Sequence, residues 1–281
     1  MATLAVIGGS GLYALSGLAG ADEIAVETPY GLPSDKVVRG MLGPVTMLFL
    51  PRHGRGHEIP PSSINYRANI CALKKLGATH VVSVSAVGSM KESIKPGQLV
   101  IVDQFIDLTK RRVSTFFDEG VAAHVAMADP ICPLLAAATA AAGEKAGAEV
   151  HRGGTYVCIE GPQFSTRAES HLYRSWGVSV IGMTNMPEAK LAREAELPYA
   201  TIAVATDYDC WRQANEDVSV DAIIAVLRRS LDTTKLLLAQ LAPALPDPVK
   251  SPAFGALKTA VLTERSQISK AKRAELAWLL S

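Results

Sequence analysis

Short apolar runs alternate with longer helical stretches along most of this chain, and that order constrains its fold more than any other feature. The predicted strands are Leu4–Ile7, Val45–Leu50, His80–Ser85, Leu99–Val102, Thr155–Ile159, Val178–Ile181 and Tyr199–Ala205. The predicted helices are Asn65–Leu76, Ala136–Lys145, Ala189–Glu194 and Asp221–Gln240. Strands and helices in this order pack as a central sheet covered by helices. We therefore expect an α/β fold.

The C-terminal segment differs in composition from the rest of the chain. Residues 242–254 contain Pro243, Pro246, Pro248 and Pro252, which indicates a linker. A basic helical tail is predicted over Leu257–Leu280, either as a docking segment for a partner or as a solvated helix. We expect one domain over residues 1–241, then a Pro-rich linker and helical tail over 242–281.

Composition and charge argue against several classes of partner. The 281 residues carry a net charge of +1, so there is no electrostatic reason to expect nucleic acid or an acidic membrane surface as a partner. The chain contains no apolar stretch of the ~18 residues that a transmembrane helix needs, and its N-terminus does not resemble a signal peptide. The cysteines are far apart and form no CxxC pair: Cys71, Cys132, Cys158 and Cys210. This indicates reduced thiols in the cytoplasm, and no zinc cluster or disulfide framework.

Two carboxylates, Asp207 and Asp209, follow the apolar run Tyr199–Ala205. In extended backbone their i, i+2 spacing puts both side chains on one face of the strand. Burial and a neighbouring like charge both raise a carboxylate pKa, so such a pair can hold a proton near neutral pH. This arrangement suits general acid catalysis at a ring nitrogen. The alternative is a helix N-cap or a solvated turn.

A glycine-rich turn, Gly8–Gly11, follows the first predicted strand. It fits the GxGxxA dinucleotide fingerprint, but the next region breaks at Pro29 where that fold needs a clean second strand. A phosphate cradle is the better interpretation, because glycines let backbone N–H groups approach an oxyanion and Ser10 adds a hydroxyl. A simple tight turn is the alternative.

Three further strand ends carry groups that can bind an oxyanion. The first, Arg52–His57, holds two arginines and two histidines, with Arg52 as a possible bidentate fork and His53 as a further donor. The others are Ser83–Ser89 and Ile181–Glu188; each alone is no more than a strand-to-loop junction, and Arg52–His57 could be a basic surface loop. Four strand ends with anion donors and one with paired acids together describe nucleoside phosphorolysis.

The motifs taken together resemble the trimeric purine nucleoside phosphorylases, in particular the branch that acts on 5′-methylthioadenosine. The matching segments, in order, are Gly8–Gly11, Arg52–Gly54, Asn65–Asn69, Glu160–Phe164, Met183–Thr184 and Thr206–Trp211. The resemblance runs from about Leu4 to Leu241. It implies the single-domain nucleoside phosphorylase fold, with a central mixed β-sheet covered by helices.

The resemblance implies a role for each matching residue. The phosphate would be bound by Ser10, Arg52, His53, Ser85, Ala86 and Thr184. Phe164 would lie beside the purine and Met183 against the ribose. Asp207 would donate a proton to purine N7, and Asp209 would accept from the 6-amino group. The family branch has Asn just before this Met, whereas this chain has Gly182, so any contact from that side chain is in doubt.

The resemblance also implies a pocket for the 5′-alkylthio group, completed by a neighbouring subunit. Val220, Ile223 and Ile224 would line it, although their i, i+3, i+4 spacing fits ordinary core packing equally well. His124 would enter from the neighbour. The implied assembly is a homotrimer with shared sites.

These observations lead us to expect phosphorolysis of 5′-methylthioadenosine to adenine and 5-methylthioribose 1-phosphate, in purine and methionine salvage. We expect no cofactor or metal, since phosphate is itself a co-substrate, and a cytoplasmic enzyme with small-molecule partners. One alternative is a phosphorylase for inosine, guanosine or methylthioinosine, which Asp207 disfavours. The other is a non-catalytic nucleoside-binding protein. The hypothesis of a nicotinamide-dependent dehydrogenase is supported by the one glycine motif alone.

Overall fold

A computed structural model describes residues 2–9, 11–12, 15–212 and 220–280, and its described strands form one mixed sheet. The strands are β1 Thr3–Gly8, β2 Ala19–Ile24, β3 Val37–Leu42, β4 Val45–Pro51, β5 His80–Ser89, β6 Leu99–Ile101, β7 Gln104–Asp107, β8 Val150–Arg152, β9 Thr155–Cys158, β10 Val180–Gly182 and β11 Tyr199–Asp207. All seven predicted strands are present. Four strands, β2, β3, β7 and β8, were not predicted: β2 is largely exposed, β7 and β8 are short, and β3 is interrupted by Arg39 and Gly40.

The helices flank this sheet and include the four that were predicted. They are α1 Tyr66–Lys75, α2 Pro133–Lys145, α3 Arg167–Ser175, α4 Glu188–Glu194, α5 Val220–Leu241, α6 Lys270–Glu275 and α7 Ala277–Leu280, with 3-10 turns at Pro61–Ser63, Ala242–Ala244 and Pro248–Lys250. Asn65 caps α1 by accepting a hydrogen bond from the Ala68 amide, as its position before the helix predicts. In the described part of the chain, no helix is long and apolar enough to cross a bilayer.

The long strand β5 organises the sheet. It pairs in parallel with β1 and β11, and β1 pairs in parallel with β4. The carboxyl ends of these four strands therefore lie at one edge. The short strand β10 runs antiparallel to the end of β5, with Val180 opposite Ser89 and Ile181 opposite Gly88. The segment after β10 consequently runs back along β5 toward Ser85.

Two apolar cores cover the two faces of the sheet. Along β1, Leu4 and Val6 belong to the core beneath α2 and α5, whereas Ala5 and Ile7 belong to the core beneath α1 and α4. Side chains of a strand alternate between faces, so a strand that is apolar throughout is covered on both sides. The expectation of a central sheet with helices on its faces is confirmed.

The C-terminal tail is less helical than its sequence indicates, and it packs on the domain. Helix occupies only α6 and α7, while residues 257–269 form turns and a β-bridge from Val261 to Ala123. Leu276 is fully buried, and Trp278 stacks edge-on against Phe116 at 4.9 Å. Within residues 257–269, Leu257 and Ile268 are buried in the same core, and such tertiary packing overrides helical propensity. The boundary at residue 241 stays a prediction about how the chain is organised.

Candidate active site

The edge where β1, β4, β5 and β11 end collects most of the predicted site residues. Gly8 ends β1, Arg52 follows β4, Ser85 and Ala86 lie in β5, and Asp207 ends β11. Ser10 lies outside the described residues. Packing also favours glycine at position 8, because a Cβ there would lie 2.5 Å from Leu12 Cδ1.

Ser85 and Thr184 bring two hydroxyls together at this edge. Their oxygens are 3.1 Å apart and both residues are buried, while Ala86 beside them is half-buried. The antiparallel register of β10 explains the contact, because continuing it past Gly182 places Thr184 opposite Ser85. Sequence spacing alone does not bring these two residues together, because they are distant along the chain.

Arg52 is buried and most of its guanidinium is already bonded. Nε and Nη2 donate to the two carboxylate oxygens of Glu188 at 2.8 and 3.1 Å. Nη2 also reaches Ser83 Oγ at 2.5 Å and the Ile7 carbonyl at 3.1 Å, and Nη1 donates to the Val84 carbonyl at 3.0 Å. Burial alone would lower the pKa of Arg52, but the Glu188 carboxylate raises it.

The expectation that Arg52 offers its bidentate fork to an oxyanion is therefore wrong. The fork binds Glu188, and one N–H of Nη1 is left without a protein partner in the described ranges. Arg52 can still give an anion one charge-assisted hydrogen bond. Sequence reasoning did not single out Glu188 as its partner, because the two residues are 136 positions apart.

His53 does not present the donor that its sequence position suggested. Its Nδ1 lies 2.8 Å from the carbonyl oxygen of Ile59, which can only accept, so Nδ1 carries the proton. Burial lowers the pKa of His53 to about 4, and the ring is neutral near pH 7. Nε2 is consequently an acceptor. It can receive a hydrogen bond from the P–OH of a monoprotonated phosphate but cannot donate one.

Asp207 and Asp209 are neighbours, although by a different geometry from the one expected. The strand ends at Asp207, and Asp209 has a φ of 51°, in the left-handed region, so extended backbone does not reach it. The Asp209 amide donates to Asp207 Oδ1 at 2.7 Å. Gly88 permits this packing, since a Cβ there would lie 3.1 Å from Asp207 Oδ1 and 3.3 Å from Asp209 Cβ.

Both carboxyl groups are held closer to the protonated state than ordinary aspartates. Burial raises the pKa of Asp207, and the nearby Asp209 carboxylate adds to the effect. Burial also raises the pKa of Asp209, against the hydrogen bond from Ser170. Thr206 Oγ1 lies 2.7 Å from Asp207 Oδ2 and 3.2 Å from the Val87 carbonyl. This hydroxyl can donate to the Asp207 carboxylate, or to Val87 when Asp207 is protonated.

Aromatic side chains fix the loop that carries the two acids. Trp211 Nε1 donates to the Ser89 carbonyl at 2.8 Å, and its ring meets Tyr208 edge-on at 5.8 Å. The Arg174 guanidinium lies 3.5 Å from the centroid of the Trp211 ring. These contacts tie the Asp209 turn to the end of β5. The predicted helix N-cap or solvated turn does not describe this loop.

The segments that carry Phe164 and Met183 lie beside one another. A Cβ on Gly161 would lie 2.5 Å from Met183 Sδ, and the φ of 67° at this position also favours glycine. Phe164 is 45% exposed in the single chain. The adjacent Ser165 hydroxyl is buried and has no hydrogen-bond partner in the part of the chain that the structure describes. Sequence reasoning did not single out this hydroxyl.

Arg112 holds the backbone around Met183 and Thr184 in place by hydrogen bonds, and sequence reasoning did not single out this arginine. Its Nη1 donates to the carbonyls of Met183 and Met186 at 2.7 and 2.6 Å. Its Nε donates to Glu160 at 3.1 Å. Burial alone would raise the pKa of Glu160, but hydrogen bonds from Ser62 and two backbone amides lower it to about 2. The ion pair is permanent at neutral pH.

The predicted 5′-pocket stripe is not part of the core. Val220 and Ile224 are 61% and 40% exposed, and Ile223 is half-buried. The core face of α5 is formed instead by Val226, Ser230, Thr234, Leu237, Leu238 and Leu241. Ordinary core packing therefore does not explain the stripe. Its apolar side chains face outward at the start of α5 in the single chain.

His124 is exposed and lies in a segment that pairs with the C-terminal tail. Its amide donates to the Ala260 carbonyl at 2.9 Å, next to the bridge between Ala123 and Val261. It borders a cavity of about 460 Å³ that includes Lys190 and Glu194, and no residue of the Asp207 edge lines this cavity. Within one chain, His124 is not brought to the predicted site.

Comparison with known proteins agrees with this architecture. Residues 3–242 match the model of the phosphorylase superfamily. An S-methyl-5′-thioadenosine phosphorylase of Geobacter sulfurreducens is 57% identical over 266 residues, which cover 94% of this chain and 93% of that protein. A methylthioadenosine phosphorylase from an antarctic soil metagenomic library has a crystal structure with a TM-score of 0.95 at 50% identity, covering 100% of this chain and 99% of the other. The Schistosoma mansoni methylthioadenosine phosphorylase in complex with adenine gives 0.89 at 35% identity, covering 93% and 99%.

Proposed function

The chain belongs to the phosphorylase superfamily, and on that premise we propose that it cleaves S-methyl-5′-thioadenosine with inorganic phosphate. The products are adenine and 5-methylthioribose 1-phosphate. The observation that carries this proposal is Asp207, an acid with a raised pKa at the sheet edge that also holds Arg52 and Ser85. Similarity to S-methyl-5′-thioadenosine phosphorylases at up to 57% identity supports the choice of substrate.

The anion site would hold phosphate against C1′ of the ribose. Arg52, Ser85 and Thr184 donate through one guanidinium N–H and two hydroxyls, with Ser10, Ala86 and the acceptor His53 around them. Asp207 lies beside Gly88, three residues along β5 from Ser85, which corresponds to roughly 10 Å of strand. The anion donors and the acid therefore stand at separate positions along the same strand, as a reaction between phosphate and a nucleoside requires.

The reaction forms a C1′–O bond to phosphate while the C1′–N9 bond breaks. The electron pair of the broken bond passes into the purine, and Asp207 delivers its proton to N7, so the base leaves as neutral adenine. Asp207 then regains a proton from solvent. Asp209 accepts from the exocyclic amino group, Met183 packs on the ribose and Phe164 lies by the purine.

Asp207 favours a 6-aminopurine over a 6-oxopurine. A protonated carboxyl donates to N7, and the neighbouring carboxylate of Asp209 accepts from an amino group, which hypoxanthine and guanine do not carry at position 6. A phosphorylase for inosine or guanosine is therefore not favoured. A non-catalytic nucleoside-binding protein has no need of a proton held at Asp207.

The outward apolar stripe supports a 5′-thioether and a shared site. Val220, Ile223 and Ile224 offer a methylthio group apolar contacts and give a 5′-hydroxyl no hydrogen-bond partner. We propose that His124 of a neighbouring subunit completes this pocket in a homotrimer. The exposure of both His124 and the stripe in the single chain supports this. A cytoplasmic location, with no cofactor beyond the co-substrate phosphate, belongs to the same proposal.

A phosphate-dependent assay on four nucleosides tests the proposal. The purified protein is given methylthioadenosine, adenosine, methylthioinosine or inosine, with and without phosphate, and base release is followed. We expect methylthioadenosine to have the highest kcat/KM and release to require phosphate. Higher kcat/KM for inosine or methylthioinosine would identify the 6-oxopurine alternative, and no release from any nucleoside would identify a binding protein.

A further inference from the structure

The Tyr156 hydroxyl fills the space beside Gly182 that a side chain at position 182 would need, next to the predicted anion site. A Cβ on Gly182 would overlap the hydroxyl of Tyr156 and lie 2.6 Å from its Cζ. A Cβ cannot approach another heavy atom that closely, so position 182 must be glycine while Tyr156 keeps its orientation. Gly182, where the family branch has Asn, is thus matched by Tyr156 on the neighbouring strand β9.

The register of β9 and β10 produces this contact. The strands are parallel, with Tyr156 opposite Val180 and Cys158 opposite Gly182. Side chains two residues apart point to the same face, so Tyr156 and Gly182 are diagonal neighbours on one face of the sheet. Tyr156 is fully buried and leans across Gly182, with its ring edge-on to Phe105 at 5.7 Å.

The hydroxyl that fills this volume reaches the two hydroxyls assigned to phosphate. Tyr156 Oη lies 3.2 Å from Ser85 Oγ, and Ser85 Oγ lies 3.1 Å from Thr184 Oγ1. Burial raises the pKa of Tyr156, against hydrogen bonds with Ser85 and Thr184, so the phenol keeps its proton. The Ser85 hydroxyl also lies 3.3 Å from the Ala86 carbonyl, to which it can donate. If Tyr156 donates to Ser85 Oγ, the proton of Ser85 can point at Thr184, at the Ala86 carbonyl or at an anion.

We propose that Tyr156 is a positioning residue that orients the Ser85 and Thr184 hydroxyls toward phosphate, and that Gly182 exists to admit it. This inference rests on the proposed phosphate site. Tyr156 does not touch phosphate itself; it determines which way the hydroxyl protons of the site point. Its loss should weaken phosphate binding and leave nucleoside binding unchanged.

The first test compares Tyr156→Phe with the unaltered protein. Losing one oriented hydrogen bond should raise KM for phosphate roughly 3- to 10-fold, while KM for methylthioadenosine and Tm stay close to the original values. Tyr30→Phe is the control, since it removes another buried phenol hydroxyl, on a ring that packs against Phe116 and Trp278. An unchanged KM for phosphate, or equal rises in both KM values, would overturn the positioning role.

Direct binding separates this inference from the proposed function. Equilibrium dialysis with radiolabelled inorganic phosphate measures Kd without catalysis, and Tyr156→Phe should weaken it by the same factor. If the unaltered protein releases no adenine but Tyr156→Phe still weakens phosphate binding, the proposed function fails and the positioning role stands. If adenine is released and phosphate affinity is equal in both proteins, the positioning role fails and the proposed function stands.

The coupling to Gly182 needs its own variants. Gly182→Ala should displace the Tyr156 ring, lowering Tm and raising KM for phosphate at least as much as Tyr156→Phe. Tyr156→Leu/Gly182→Ala removes the overlap, so Tm should recover relative to Gly182→Ala while KM for phosphate stays high. If Gly182→Ala does not fold, the double variant alone carries the test. Normal phosphate affinity in the double variant would contradict the inference.

Discussion

Glu188 binds the guanidinium of Arg52 through both of its carboxylate oxygens, with N–O distances of 2.8 and 3.1 Å. The Arg52 side chain is 3% exposed and that of Glu188 is fully buried. Tyr199 donates a third hydrogen bond to Glu188 at 2.8 Å. The pair therefore orients the N–H of Nη1 that has no partner among the described residues, and each charge depends on the other for compensation.

Glu188→Gln should be strongly destabilising, because it leaves the buried charge of Arg52 without its counter-ion. We expect the free energy of unfolding in urea to fall by about 3–5 kcal/mol. Tyr199→Phe is the control: it removes a hydrogen bond to the same carboxylate but keeps the ion pair, so it should lose only about 1.5–3 kcal/mol. Equal losses for both variants would contradict a role for the charge.

Asp207→Asn should lower kcat/KM for methylthioadenosine by a factor of about 10² or more, the usual scale for losing a positioned acid. Its activity should shift toward 6-oxopurine nucleosides, since an amide can donate to N7 or O6. Base release is measured under saturating phosphate. Full activity on adenine nucleosides would show that Asp207 is not the acid.

The same variant should change how stability depends on pH. The folded-state pKa of Asp207 is raised, so its contribution to stability is fully present below the unfolded pKa, near 3.8, and is lost as pH rises through the folded pKa. The unaltered protein should thus lose stability relative to Asp207→Asn as pH rises over that window. Urea unfolding at several pH values measures the difference. A constant difference would mean that Asp207 is not perturbed.

Ile224→Asn should reduce the preference for a 5′-thioether at little cost in stability, because Ile224 is 40% exposed in the chain. An apolar pocket for one such group is worth about 10- to 200-fold in kcat/KM, so the ratio of methylthioadenosine to adenosine should fall from that range toward one. Leu236→Asn, a 55% exposed leucine on the same helix, is the control. An unchanged ratio in Ile224→Asn would show that this apolar stripe does not line the 5′ pocket.

Subunit sharing can be tested by complementation. Asp207→Asn and His124→Ala should each be poorly active alone, and light scattering should show trimers for both. In co-expressed mixed trimers, about one site in four combines an intact Asp207 with an intact His124 from its neighbour. Activity should therefore exceed that of either variant alone. No gain on mixing would contradict a shared site.

The sequence predicted seven of the strands, four of the helices and the edge at which the chemistry collects, because apolar runs and strand-end residues are local features. Asp207 and Asp209 were found from a strand that ends in acids, and their raised pKa follows from burial, as expected. The left-handed backbone of Asp209 was not predicted, because the i, i+2 argument assumed that the strand continues past Asp207.

Some features that sequence reasoning missed depend on residues distant in the chain, whereas the tautomer of His53 depends on a carbonyl only six residues away. The Glu188 partner redirects the fork of Arg52, the Ile59 carbonyl fixes the tautomer of His53, and the Tyr156 hydroxyl fills the space at Gly182. Only the folded chain brings these groups together. A sequence pattern can propose which residues lie at a site, but not which of their hydrogen bonds are already made.

The most direct test of this account is to follow both products of one turnover by phosphorus NMR. Methylthioadenosine and inorganic phosphate are incubated with the protein, and the phosphate resonance is compared with the adenine released. The account predicts one sugar 1-phosphate ester formed for each adenine, and no adenine when phosphate is omitted. Adenine released at the same rate without phosphate, with no phosphate ester formed, would contradict it.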